Sequence, residues 1–348
     1  TMGATGERLC TAGLVCYLCA SAVTALQIEW RTPKTSLKPT PARSGHTAAA
    51  DAEGNVFLFG GYAEYEDGSR SVVNDLWCFS NSKKEWVLVQ AKSSDPAFPG
   101  QRLCSAAAII GQEMLLFGGW DPEDAGTGGS ILDDIWSFDL SSRKWSRLEC
   151  KMPGGPTSRH VACTVNGQVV VHTFRCKSSV LRWDSSSRKL VEQPTYGPAP
   201  SSRGLHVGAA CGSKLVIFGG ADKSGAMCSD AFALDTSSWE WTALQPKGIG
   251  PSPRAGACAA SIGETKMVVA YGAERSDAGG LDPRADVWTL DISSSPPEWL
   301  MVTAEGDAAA RNAASLTTMS TAPAELLLHG GWKPFVKTYD DTHRMLLS

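Results

Sequence analysis

The chain lacks runs of charge of one sign. Its 32 Lys and Arg stand against 36 Asp and Glu, for a net charge of -4. These charges are spread along the chain without a basic stretch, which argues against nucleic acid as a main partner. Histidine is scarce, at six residues, and shows no HxH or HExxH spacing. No metal site and no resident cofactor are therefore expected. The eleven cysteines contain no doubled CxxC. Cys16 and Cys19 form one such pair, alone inside an apolar run. An odd cysteine count and the lack of an Asn-x-Ser/Thr acceptor weigh against a secreted disulfide scaffold. Cys78, Cys104, Cys163, Cys211 and Cys258 read as small core residues. Cys176, between Arg175 and Lys177, is the thiol its neighbours would activate if it were exposed. Neither a P-loop nor GxGxxG follows a strand, and no nucleophile elbow precedes a helical pattern.

What is present is repetition. Thirty-five glycines, nineteen prolines and twelve tryptophans fall into a recurring unit. Arg43-Ser44-Gly45-His46 opens it, and an apolar strand ends in Gly60-Gly61. Asn74-Asp75-Leu76-Trp77 begins a third strand, and Trp86 sits in a fourth. The double glycine returns as Gly118-Gly119, Gly219-Gly220 and Gly330-Gly331, with Tyr271-Gly272 and His172-Thr173 as weaker versions. The third-strand motif returns around Trp136, Phe232 and Trp288. The closing tryptophan returns as Trp145, Trp241 and Trp299. Arginines 43, 102, 159, 203, 254 and 311 open the units, roughly 50 residues apart.

These markers, recurring in one order, resemble the kelch repeat, and the resemblance covers residues 28–348. It implies an all-β, six-bladed β-propeller. Four short strands cannot bury both faces alone, so the blades need each other. The chain opens with a spare fourth strand at Ile28-Glu29-Trp30. It ends with a third strand, Asp341 to Leu346, that has no fourth. Pairing the two would close the ring and remove its open edges. The blades span about 43–90, 99–149, 156–193, 199–245, 252–302 and 309–348. The third is degenerate: Leu190 stands where tryptophan is expected, and the loop from Phe174 to Ser178 is very short. His46 and His206 lie three residues after an opening arginine. His160 lies one after Arg159, out of register with them.

In kelch propellers the loops between second and third strands share a face with the connections between blades. The resemblance thus places the opening arginines near the channel mouth. The expected function is a protein-interaction or scaffold module that binds a protein or peptide through rim loops and channel mouth. Trp120, Trp332, Tyr62, Lys333, Arg43, Arg102, Arg254 and Arg311 are its binding residues. The bland role for each arginine is a hydrogen bond to neighbouring backbone. The alternative function is an isomerase or lyase acting on an acidic small molecule at the mouth. No BTB-like or F-box-like segment precedes the repeats, which disfavours a ubiquitin-ligase adaptor unless one is assembled in trans.

Residues 1–27 form a separate apolar N-terminal segment. The uncharged run 9–26 reads as a targeting segment or membrane anchor, or as an ordered appendage to the ring. An intracellular setting is expected, with an organellar or membrane-tethered one as the other reading.

Overall fold

The computed structural model describes residues 27–123, 128–277, 279–305 and 308–347. The expectations for residues 9–26 lie outside them. Six four-stranded antiparallel sheets stand radially around a channel. The first blade is Thr47–Ala50, Val56–Glu64, Arg70–Ser80 and Glu85–Gln90. The strand Gln27–Arg31 completes the sixth blade by pairing antiparallel with Thr342–Leu347, with Trp30 opposite Met345. The closure read from the two mismatched ends is therefore present. Gln27–Arg31 also runs parallel to the outer strand of the fifth blade, with Ile28 opposite Ala304. The last two blades thus form one eight-stranded sheet.

The sequence favours this arrangement because the second and third strands are apolar on both faces. Leu58 and Phe59, like Leu115 and Leu116, are fully buried. A sheet with two apolar faces must be covered on both. Six core clusters result, each spanning the seam between two adjacent blades. Inner strands such as Ala106–Ile110 and Val207–Cys211 are rich in small residues, which leaves a channel down the axis.

The closing tryptophans follow one rule. Each packs against the residue that precedes the double glycine in the blade before it. Trp145 lies 5.4 Å from Phe59, Trp241 5.7 Å from His172, and Trp299 5.2 Å from Phe218, between ring centroids. Trp86 lies 5.2 Å from His329, and its Nε1 donates to Thr342 Oγ1 at 3.0 Å, across the seam that closes the ring. All four tryptophans are buried. Trp86→Ala should lower the free energy of unfolding by about 3–5 kcal/mol. Urea denaturation measures it, and a loss below about 1 kcal/mol would contradict this packing.

Strand register corrects the third blade. The first residue of each inner strand pairs with the residue before the double glycine: Thr47 with Phe59, Ala106 with Phe117, Val207 with Phe218. In the third blade Val161 pairs with His172. His172 therefore occupies the phenylalanine position, and Thr173-Phe174 replaces the double glycine. By the same register His160 is equivalent to His46 and His206. Arg159 is the residue out of step, and Thr157 stands where the other blades have arginine.

Candidate functional site

The mouth of the channel is built from backbone first. Gly45, Cys104, Arg159, Leu205, Gly256 and Ala313 all have positive φ, between 51° and 64°. Each follows an opening position by two residues and turns the chain into the inner strand. In this conformation each N–H points along the ring to the previous blade. Gly45 donates to Ala313 O, Ala313 to Gly256 O, Gly256 to Leu205 O, Leu205 to Arg159 O, Arg159 to Cys104 O and Cys104 to Gly45 O, at 2.7–3.0 Å. Six bonds close a complete circle that ties all blades together at the neck.

A second set of bonds joins neighbouring blades outside that circle. The N–H of Gly61 donates to Arg102 O at 2.9 Å, and Gly119, Gly220, Gly272 and Gly331 make the equivalent bond to the next blade. The fifth blade holds Tyr271 at the first glycine's position with φ +62°, but at Gly60 φ is +69° and a Cβ would stand 2.6 Å from Arg102 O. This is the physical content of the double glycine.

The opening arginines are the main correction to the expected site. Arg43, Arg102, Arg203, Arg254 and Arg311 are fully buried. Each holds an aspartate of its own blade with both guanidinium nitrogens: Asp75, Asp134, Asp230, Asp286 and Asp341. Each also donates to the carbonyl of the first residue of the double glycine or its equivalent, as Arg43 does to Gly60 O at 3.1 Å. Three of the aspartates take a further indole N–H, from Trp77, Trp136 and Trp288, at 2.6–2.7 Å. Burial pushes the Asp134 carboxyl up, but Arg102 and Trp136 outweigh it and hold it below the ordinary carboxylate value. Arg43, Arg102, Arg254 and Arg311 are thus committed to the blades and present no free fork to a ligand. Their guanidinium groups are consumed because a buried charge needs a partner at every donor. Cys176 is also corrected: it is buried, and burial raises its thiol pKa.

Above the ring the loop face encloses a bowl of about 640 Å³. Tyr62, Trp120 and Trp332, expected from the sequence, line it, as do Leu103, Leu205, Met227 and Leu281. Leu205 at a ring position and Leu103 beside one were missed because nothing but register shows that they face the mouth. The rim loops carry exposed apolar side chains: Tyr65, Ile131 and Leu281 are partly exposed, Val336 is 70% exposed and Phe335 95%. Lys333 is half-buried in the short hairpin that bears them and does not line the bowl. Arg70 and Arg275 stand at the wall, and Arg70 is paired with Glu64 at 3.2 Å. Among the described residues no three His, Cys, Asp or Glu converge as metal ligands. No helix among them is long and apolar enough to cross a membrane.

The repeat geometry has its counterpart in known sequences. Residues 20–179 and 172–348 match the family described as the KLHDC2/KLHL20/DRC7 Kelch-repeats domain. The chain belongs to the kelch-repeat family. This kelch propeller is 28% identical over 305 residues to "Putative adagio-like protein 2" of Oryza sativa subsp. japonica, covering 80% of this chain and 45% of that protein. It is 27% identical over 290 residues to "Acyl-CoA-binding domain-containing protein 5" of Arabidopsis thaliana, covering 79% of this chain and 42% of that protein. The chain therefore spans less than half the length of these relatives. The solved "Structure of YjhT" shares the fold with a TM-score of 0.69 at 16% identity, over 89% of this chain and 99% of that one.

Proposed function

We propose that this propeller is a protein-interaction module whose loop-face bowl seats a projecting apolar segment of a protein partner. One observation carries the reading. The bowl at the channel mouth is lined by Tyr62, Trp120, Trp332, Leu103 and Met227, and four surrounding loops raise exposed apolar side chains toward solvent. Aromatic anchors around a desolvated pocket are the usual energetic centre of a protein interface. The blades supply rigidity through the closed backbone ring, so the loops meet a partner without large reorganisation. Kelch-family membership supports a binding role for such a face, whereas the arginines that would serve an acidic small molecule are spent in ion pairs.

Affinity capture from an extract of the source cells tests the reading, with the wild type and two variants compared. Trp120→Ala and Trp332→Ala should each reduce recovery of the same partner about tenfold or more, because such anchors contribute on the order of 2 kcal/mol. Their urea midpoints should stay near wild type, since both side chains are only half-buried. Unchanged recovery with both variants would remove the bowl from consideration.

A further inference from the structure

Beside the bowl, over the third and fourth blades, lies a second cavity of about 450 Å³ that shares Leu205 and Ala221 with it. The brevity of the Phe174–Ser178 loop leaves this side of the rim low. Its walls carry four cations, of which Arg203 is spent on Asp230 and the others are Arg159, Arg175 and Lys223. Arg159 occupies the ring position where the other blades have Gly45, Cys104, Leu205, Gly256 and Ala313, so it is the one charged side chain issuing from the neck. It is exposed and lies over the Trp120 ring, 5.4 Å from its centroid. Among the described residues no hydrogen bond or ion pair holds its guanidinium. Arg175 is stacked on Phe174 at 4.3 Å and steadied by Pro156 O at 2.8 Å. Lys223 is exposed and unpaired among the described residues.

Two carboxylates stand near these cations, Asp222 in the wall and Asp230 behind it. Asp222 Oδ1 accepts from the Ser224 N–H and hydroxyl and the Ala226 N–H. Asp230 is held by Arg203. The donors to Asp222 are neutral, so it keeps its charge, and the notch holds three cations without an ion-pair partner among the described residues against this one carboxylate, a net excess of positive charge. The loops of the first two blades carry Glu64, Glu66, Asp67, Asp121 and Glu123 instead. A bound chain meets repulsion on that side and attraction on this one if it is acidic.

We propose that the notch is a subsite for acidic side chains of the same partner segment. The partner places an apolar side chain in the bowl and carries Asp or Glu within a few residues of it. That acidic stretch leaves across the low third blade, along Arg159, Arg175 and Lys223. The two guanidinium forks suit carboxylates geometrically, and Arg159 joins the two cavities. The inference rests on the bowl reading above, and the experiment separates the two.

A random-peptide phage library is selected against the immobilised propeller and against a variant with Arg159→Gln, Arg175→Gln and Lys223→Gln. The wild type should enrich peptides in which Leu, Met, Phe or Trp is followed or preceded on one side by Asp or Glu. The variant should keep the apolar preference and lose the acidic one. A synthetic peptide from the wild-type pool should bind about tenfold more weakly to Arg159→Gln, and also after its acids are changed to amides. Added salt should weaken the wild-type complex more than the variant complex. Apolar peptides with no acidic bias, selected equally by both proteins and weakened by Trp120→Ala, would overturn the subsite and leave the bowl standing. No enrichment at all, or binders indifferent to Trp120→Ala and Trp332→Ala, would overturn both.

Discussion

Arg43→Ala should lower the free energy of unfolding by about 3–5 kcal/mol, although Arg43 is far from any ligand surface in chemical terms. The side chain is fully buried, and Asp75 beneath it is only 10% exposed. Removing the guanidinium leaves that carboxylate with one indole N–H from Trp77 and strips a donor from Gly60 O. An uncompensated buried charge costs far more than the pair itself contributes, so the single variant exaggerates the pair's net value. The third blade supplies the control. Register places Thr157, Ser179 and Leu181 where the first blade has Arg43, Asp75 and Trp77. All three members of the cage are absent there together, and the blade still folds. Arg43→Thr, Asp75→Ser and Trp77→Leu combined should therefore cost less than the ionic terms of the single variants would sum to. Urea denaturation of the single and triple variants measures this. A triple variant as unstable as the sum of its single changes would show that the cage acts as independent contacts.

Stability should fall steeply as the pH drops from 7 toward 4. His46 and His172 are held at about 3 and His160 at about 4. Burial is the leading cause in each. The charges of Arg43 and Arg203 add to it at His46 and His172. The backbone at Ser158 and Phe117 partly offsets it at His160. An unfolded histidine titrates near 6.5, so below that pH the unfolded chain binds protons that the folded chain refuses. These groups have depressed folded pKa values. The stability they contribute is fully present above about 6.5 and is lost as pH falls toward 4 and 3. Each histidine contributes a slope of about 1.4 kcal/mol per pH unit in that window. Asp134 and Asp286 are held below the ordinary carboxylate value, so their stability is lost only at lower pH. Urea midpoints at pH 7, 6 and 5 should decline progressively. His160→Ser, which installs the residue the second blade has as Ser105, should remove about one proton from the uptake on unfolding. A midpoint flat from pH 7 to pH 5 would contradict neutral buried histidines.

The aromatic part of the bowl was legible because Trp120 and Trp332 follow a double glycine directly, and that motif ends the second strand at the mouth. The arginines were legible as repeats but not as to role. A signal was available: an aspartate accompanies the arginine in five blades, and both are missing from the third. Arg159 hid that pattern by standing two residues after the true position, in a blade whose other markers had already drifted. Only pairing of Val161 with His172 separates the two readings.

The sequence by itself determined the propeller, the number of its blades and the way the ring closes. Those follow from local markers repeated in fixed order and from one spare and one absent strand, which need no distances to interpret. The tertiary structure decided which cations are spent and which are free. A guanidinium near a channel mouth binds outward or inward according to whether a carboxylate some thirty residues along the chain reaches its donors. That depends on how strands twist and pack, because burial forces every available partner onto the charge. Arg43 is closed off by this rule, while Arg159, two residues out of step, remains open to solvent.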